Sequence, residues 1–389
     1  MNKYNLTYCT ILFTFLAGCS GLKVADIGVD EYRSTSAERI QSEIEKAEIP
    51  VAVPLGEEWV YNAGGAFGRV EPILIGDHVF VGTRKGEIHG IALRSGKRVG
   101  ADGFGDAIDG TPAIVGTDIV IPVSWGSKKG VVSHNLRSGH KSWSLRVPPV
   151  RTDILRIDED VVFVDHSSTV RSVRSEDGSE NWVREFDISI PFLASPVELS
   201  DDVIAVVDAR GHVTAMNKDT GNPVWEYSLG FPVHSDPVTD GSRMYISTTR
   251  GRLFALNIRT GSVEWQNVVG REDVRLLSAS LFEDSIVVGA SSGLVAVYQR
   301  DTGLEVWATT TNEAVAARPL VTRDYIFVSS MDRIVRALDR RTGENQWQAE
   351  LKGRSKSEMA ATENSLVILS EPRLIYYFVS ESVEVARAE

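Results

Sequence analysis

A turn glycine followed four residues later by tryptophan recurs along this 389-residue chain and restricts its fold more than any other feature. Clear copies are Asp219-Thr220-Gly221 with Trp225, Arg259-Thr260-Gly261 with Trp265, Asp301-Thr302-Gly303 with Trp307 and Arg341-Thr342-Gly343 with Trp347. Looser copies are Arg137-Ser138-Gly139 with Trp143 and Glu176-Asp177-Gly178 with Trp182, while Arg94-Ser95-Gly96 keeps the glycine but has Gly100 in the tryptophan slot. From Gly96 to Gly343 the successive glycines lie 43, 39, 43, 40, 42 and 40 residues apart. That period holds four short strands and their turns, the length of one propeller blade.

The signals within one unit agree. Ser235-Asp236-Pro237-Val238 starts a strand with proline at its first position, where a missing N–H is tolerated. Asp240-Gly241 and Arg250-Gly251 read as turns around the alternating strands Met244–Ser247 and Leu253–Leu256. In the recurring phrase, glycine supplies the positive φ of a turn, and the residue two before it and the adjacent Thr or Ser are expected to cap that turn. The tryptophan then falls in an outer strand, where its ring can wedge against the next blade if its indole N–H finds an acceptor.

Counting Trp59, the Gly100 slot, Trp143, Trp182, Trp225, Trp265, Trp307 and Trp347 gives eight outer strands. The run past Trp347 supplies inner strands without a further tryptophan, and Trp59 stands alone at the other end. Pairing the two ends in one sheet closes the ring and removes its open edges. The expected fold is therefore all-β, an eight-bladed β-propeller of four-stranded antiparallel blades over residues 55–380, with a C-terminal tail over 381–389.

Composition narrows the functional class. A formal net charge of -12 argues against a general nucleic-acid binder, which needs a basic surface. The only cysteines are Cys9 and Cys19, so the body of the chain can hold neither a disulfide framework nor a cysteine metal site. Residues 1–18 read as a secretion signal, since the apolar run Thr10–Phe15 is too short to span a bilayer. Its ending, Leu16-Ala17-Gly18-Cys19, resembles the bacterial lipobox. That resemblance implies lipidation at Cys19, with Ser20 favouring the outer membrane and the protein facing the periplasm. Residues 19–54 then form a charged tether in which Ser36–Ala47 is either a short helix, with Ile40 and Ile44 on one side, or a solvated linker.

None of the portable motifs for a metal protease, nucleophilic hydrolase, nucleotide-binding loop or haem attachment occurs. The seven histidines are scattered over different units, and aspartates such as Asp240 fall where hairpin turns recur. No catalytic residue, metal or cofactor is expected. Two connections between outer and inner strands break the repeat pattern: Asp187–Leu193, containing Ile188, Ile190, Pro191 and Phe192, and Gly230–His234, containing Pro232, Val233 and His234. Their apolar residues serve either as a docking surface or as buried parts of the inner strands.

The runs Leu253–Trp265 and Val335–Trp347 resemble the repeats of quinoprotein-type propellers. That group includes quinone-dependent dehydrogenases and the BamB family of outer-membrane assembly lipoproteins. The lipobox, the length and the lack of other mature cysteines are similar to the BamB branch. The resemblance implies a scaffold in the complex that inserts β-barrel proteins into the outer membrane. Its implied partners are the POTRA modules of BamA, the other lipoproteins of the complex indirectly, and nascent outer-membrane proteins. It implies contacts through Ile188, Ile190, Pro191 and Phe192 in one connection and through Pro232, Val233, His234 and Asp236 in the next. This chain departs from the family by placing Pro191 where an arginine is frequent and by not preserving the acidic pair of the second connection. The other readings are a pyrroloquinoline-quinone-dependent dehydrogenase and a periplasmic ligand-binding propeller.

Overall fold

A computed structural model describes residues 21–24 and 36–381. Its strands form eight four-stranded antiparallel sheets, the eight blades expected from the repeat. Seven are continuous in sequence, spanning 73–103, 113–145, 155–185, 197–228, 238–268, 280–310 and 320–350. In the eighth, the N-terminal strand Leu55–Asn62 pairs antiparallel with Leu374–Ser380, from Leu55 opposite Ser380 to Asn62 opposite Leu374, with one register shift between Glu57 and Trp59. The strands Ser365–Ser370 and Met359–Thr362 complete that blade, so chain ends far apart in sequence close the ring.

Burial follows from the position of each strand. In the fifth blade Arg243–Ser247 and Arg252–Asn257 are covered on both faces by neighbouring blades and are nearly continuously apolar. The outer strand Val263–Val268 alternates, with Val263, Trp265 and Asn267 turned inward. The core is correspondingly divided into interblade layers; one joins Val207, Val213 and Ala215 of the fourth blade to Met244, Ile246 and Phe254 of the fifth. Burial at about 25 cal/mol per Å² of apolar surface makes these layers the main cement of the ring.

The recurring phrase is resolved in detail. In all eight blades a register shift falls beside the tryptophan slot; in the fifth, Ala255 faces Trp265, and Leu256 faces Val263. Such a bulge bends the strand and re-aims the side chain, here toward the next blade. Gly261 has φ +70, and a Cβ there would lie 2.4 Å from the Trp225 ring of the preceding blade. Glycine is thus required by the ring that lies on it as well as by its backbone. The indole N–H of Trp225 donates to the Ile258 carbonyl at 2.8 Å, and that of Trp182 donates to the Lys218 carbonyl at 2.6 Å. In each case the acceptor lies three residues before the turn glycine. The main turn cap lies four residues before the glycine, not two: Asn217 Oδ1 accepts from Asp219 N and Thr220 N, and Asp339 Oδ1 does the same for Arg341 N and Thr342 N. A side chain at that position reaches both N–H groups of the turn, whereas one two before the glycine points to solvent.

The slot that lacks tryptophan is filled from elsewhere. A Cβ on Gly100 would lie 2.9 Å from the Gly21 carbonyl oxygen and 3.1 Å from Leu22 Cα. Leu22 is fully buried there in the layer formed by Phe80, Ile88, Ile121 and Leu136. Val24 N–H donates to the Leu136 carbonyl at 2.8 Å, the acceptor that an indole would have used, and His134 Nε2 donates to the Leu22 carbonyl at 2.7 Å. The segment Gly21–Val24 is a wedge in place of the missing ring. Gly100→Trp should therefore expel it, and the observable is loss of hydrogen-exchange protection at Val24 with the blade amides unchanged.

The helix Ser36–Glu45 lies against the turns at one end of the blades. Ser36 N–H donates to Asp201 at 2.5 Å, Arg39 Nε donates to Glu198 at 2.9 Å, and Arg340 pairs with Glu48 at 2.9 Å. Ile40 is buried and Ile44 packs against the layer around Val274 and Leu281. Helix and propeller together enclose a cavity of about 650 Å³.

Candidate functional site

One residue per blade, placed just before the inner strand, builds a ring around the central channel: Glu71, Thr111, Asp153, Ser195, Asp236, Ser278, Arg318 and Glu358. Glu71 N–H donates to Thr111 Oγ1 at 3.0 Å, and Thr111 N–H donates to Asp153 Oδ1 at 2.6 Å. Asp153 N–H donates to Ser195 Oγ at 3.0 Å, Ser195 N–H to Asp236 Oδ1 at 2.5 Å, and Asp236 N–H to Ser278 Oγ at 2.9 Å. Five of the eight precede a proline: Glu71, Thr111, Ser195, Asp236 and Arg318. That neighbour favours extended backbone and so helps aim each N–H at the next blade. Arg318 closes the circle, bonded to Glu358 through Nε at 2.9 Å and lying 3.6 Å from Glu71.

The ring is electrostatically uneven. Burial raises the Asp153 carboxyl well above its usual range, and nearby Asp236 raises it further. Burial pushes Glu358 up to about 6 against the pull of Arg318. Burial also opposes the charge on Arg318, but Glu358 and Glu71 outweigh it and raise its pKa. A single guanidinium thus holds together one side of a carboxylate-rich ring. Among the described residues, no group of three His, Cys, Asp or Glu side chains is arranged to hold a metal ion.

The blade-to-blade connections and the hairpins between second and third strands share one face of the propeller. On it Ile188 is 69% exposed and Leu193 is 42% exposed. Their loop is pinned: Asp187 Oδ1 accepts from Ser189 N at 2.9 Å, and Ser168 Oγ donates to the Ile190 carbonyl at 2.8 Å. Ile190, Pro191 and Phe192 are half-buried, with Phe192 edge-on to Phe186 at 5.2 Å. In the next connection Pro232 is exposed and His234 half-buried, but Val233 is fully buried in the layer between the fourth and fifth blades. Asp236 sits in the channel ring, its carboxylate engaged by Ser195 N–H. The residues singled out in sequence therefore divide among surface, core and channel. Cys19 lies outside the described residues.

Sequence reasoning missed Trp125, which is 62% exposed on the same face, in the hairpin between the second and third strands of the second blade. Its signal was available, because Trp125 is the one tryptophan that neither follows a turn glycine at the repeat spacing nor fills the Trp59 position at the ring closure.

The sequence model of the family described as outer membrane protein assembly factor BamB matches residues 57–184, 183–282 and 276–378, which together cover the propeller. The chain belongs to this family. The BamB protein of Burkholderia pseudomallei is 22% identical over 349 residues, covering 82% of this chain and 87% of that protein. The match to the uncharacterised protein RC0314 of Rickettsia conorii is 25% identical and covers 60% of each chain; that to the BamB protein of Moranella endobia is 24% identical and covers 53% of its length. The crystal structure of BamB from Moraxella catarrhalis superposes with a TM-score of 0.71 at 18% identity, covering 84% of this chain and all of that one. A quinohemoprotein alcohol dehydrogenase from Pseudomonas putida HK5 superposes with a TM-score of 0.72 at 11% identity, covering 90% of this chain and 82% of that one. Both superpositions speak to the fold alone. Among the described residues no helix is long and apolar enough to cross a membrane.

Proposed function

We propose that this BamB-family propeller is a non-enzymatic scaffold of the outer-membrane β-barrel assembly complex, anchored through lipid on Cys19 and facing the periplasm. It binds the POTRA modules of BamA and assists the folding and insertion of barrel proteins. The observation that carries the reading is the pinned loop that holds Ile188 in solvent: apolar side chains on a rigid, exposed connection mark partner sites. Leu193 beside it and Trp125 on the same face extend the apolar surface available to a partner. A partner strand or helix docked there would bury these side chains within a polar rim.

Ile188→Asp with Leu193→Asp tests this, since both side chains are exposed and their loss leaves the core intact. Co-purification with BamA should weaken by at least about 30-fold, the ~2 kcal/mol of a hot-spot residue, while the circular dichroism stays unchanged. Undiminished capture by the double variant would remove this surface from the reading.

A further inference from the structure

On the side of the ring away from the helix Ser36–Glu45, the channel opens into a cavity of about 420 Å³ lined by Arg69, His234 and Arg275, with Asp236, Arg318 and Glu358 as its floor. Arg69 follows the eighth blade, whereas His234 lies between the fourth and fifth, on the opposite side of an eight-membered ring. The Arg69 side chain reaches across the opening to donate to the His234 carbonyl at 3.0 Å. That bond satisfies one N–H, and the rest of the exposed guanidinium faces solvent. Arg275 stands beside it, and among the described residues neither guanidinium has a carboxylate within 4.0 Å, nor does the Arg275 side chain have any hydrogen-bond partner.

Carboxylates outnumber cations in this chain, 53 Asp and Glu against 41 Lys and Arg. Arg84, Arg243, Arg252, Arg271, Arg333 and Arg336 are all paired. The carboxylates on the cavity floor are already committed, Asp236 to the Ser195 N–H and Glu358 to Arg318. Two guanidiniums line one cavity with no carboxylate of the described residues paired to either. Burial first, and then Arg69, make Arg275 a poorer cation, and His234 is held toward its neutral form by burial and by both arginines. The like-charge cost is relieved by a bound anion, and guanidinium forks match the geometry of carboxylate and phosphate oxygens.

We propose that the channel mouth is a binding site for a small oxyanion, a phosphate or a compact dicarboxylate, held between Arg69 and Arg275 above the floor of the ring. The site is separate from the Ile188 surface, and its occupancy does not depend on the scaffold reading. Titration calorimetry of the full-length protein at low ionic strength, where screening is weakest, with phosphate in one arm and succinate in the other, reads it directly. Saturable heat at millimolar or lower concentration is expected in at least one arm, and the stronger arm identifies the ligand class. Arg69→Gln with Arg275→Gln should weaken binding by at least about tenfold, since both charged donors are lost, with the melting temperature of the unliganded protein unchanged or raised. No saturable heat in either arm, or equal affinity in the folded double variant, would overturn the assignment.

Discussion

Trp182→Ala should lower stability by about 3–5 kcal/mol, the range for removing a large aromatic from a packed interior, while Trp125→Ala should fall within about 0.5 kcal/mol of the unmodified protein. Both remove the same side chain. Trp182 is 9% exposed, lies on Gly221 of the next blade, and donates its indole N–H to the Lys218 carbonyl. Its loss opens a cavity between the third and fourth blades, because glycine has no side chain with which to fill it. Trp125, with 62% of its surface in solvent, gives up little packing. Chemical denaturation midpoints compare the two. A Trp182→Ala midpoint close to that of the unmodified protein would show that blade contacts do not depend on the indole wedge.

That contrast also shows what could be read in the sequence. A residue that recurs every forty or so positions answers to the fold, so the blade count, closure and interblade layers were legible from the Gly and Trp positions. The Asn217 and Asp339 caps were expected at the residue two before the glycine, whereas the side chain with the necessary reach lies two residues earlier; the expected cap by the Thr beside the glycine holds, with Thr220 and Thr342 Oγ1 accepting from Asn222 N and Glu344 N. Gly100 marked an empty slot, but its occupant lies about eighty residues upstream, and no local pattern connects Leu22 to it.

The candidate surface was legible only in part, for a related reason. Ile188 and Val233 looked equivalent, as apolar residues in successive connections. Burial separates them, since Val233 turns into the layer with Met244 and Ile246 while Ile188 points out. Val233 lies three residues before Asp236 of the ring and Ile188 seven before Ser195, a difference of position that hydropathy does not record. The channel ring was hidden differently. Its members are Glu, Thr, Asp, Ser and Arg, chemically too varied to register as a repeat, although the prolines that follow five of them are periodic. What those positions share is an N–H or a side chain aimed at the next blade.

The ring supplies the second large effect. Arg318→Ala should cost about 2–3 kcal/mol at pH 7, below the 3–5 expected of a dry ion pair because 31% of the Arg318 side chain remains exposed. Removing it leaves Glu71, Glu358 and Asp236 without the guanidinium they share. The pH dependence distinguishes this from a packing defect. Glu358 in the folded protein titrates at about 6, above its ordinary value of 4.5, so the folded state binds the proton more tightly than the unfolded chain. Its stabilising contribution is fully present below about 4.5 and disappears as the pH rises through about 6. Burial and Asp236 shift Asp153 in the same direction. Without Arg318 the Glu358 pKa rises further, so the variant should be most impaired at pH 7 and recover much of the deficit near pH 5. Below that range the depressed carboxylates Asp240, Asp332 and Asp339 take protons and reverse the trend. Melting temperatures measured at pH 5 and pH 7 for Arg318→Ala and for Arg318→Ala with Glu358→Gln make the comparison. A deficit of equal size at both pH values, unchanged by Glu358→Gln, would assign the loss to packing instead of charge.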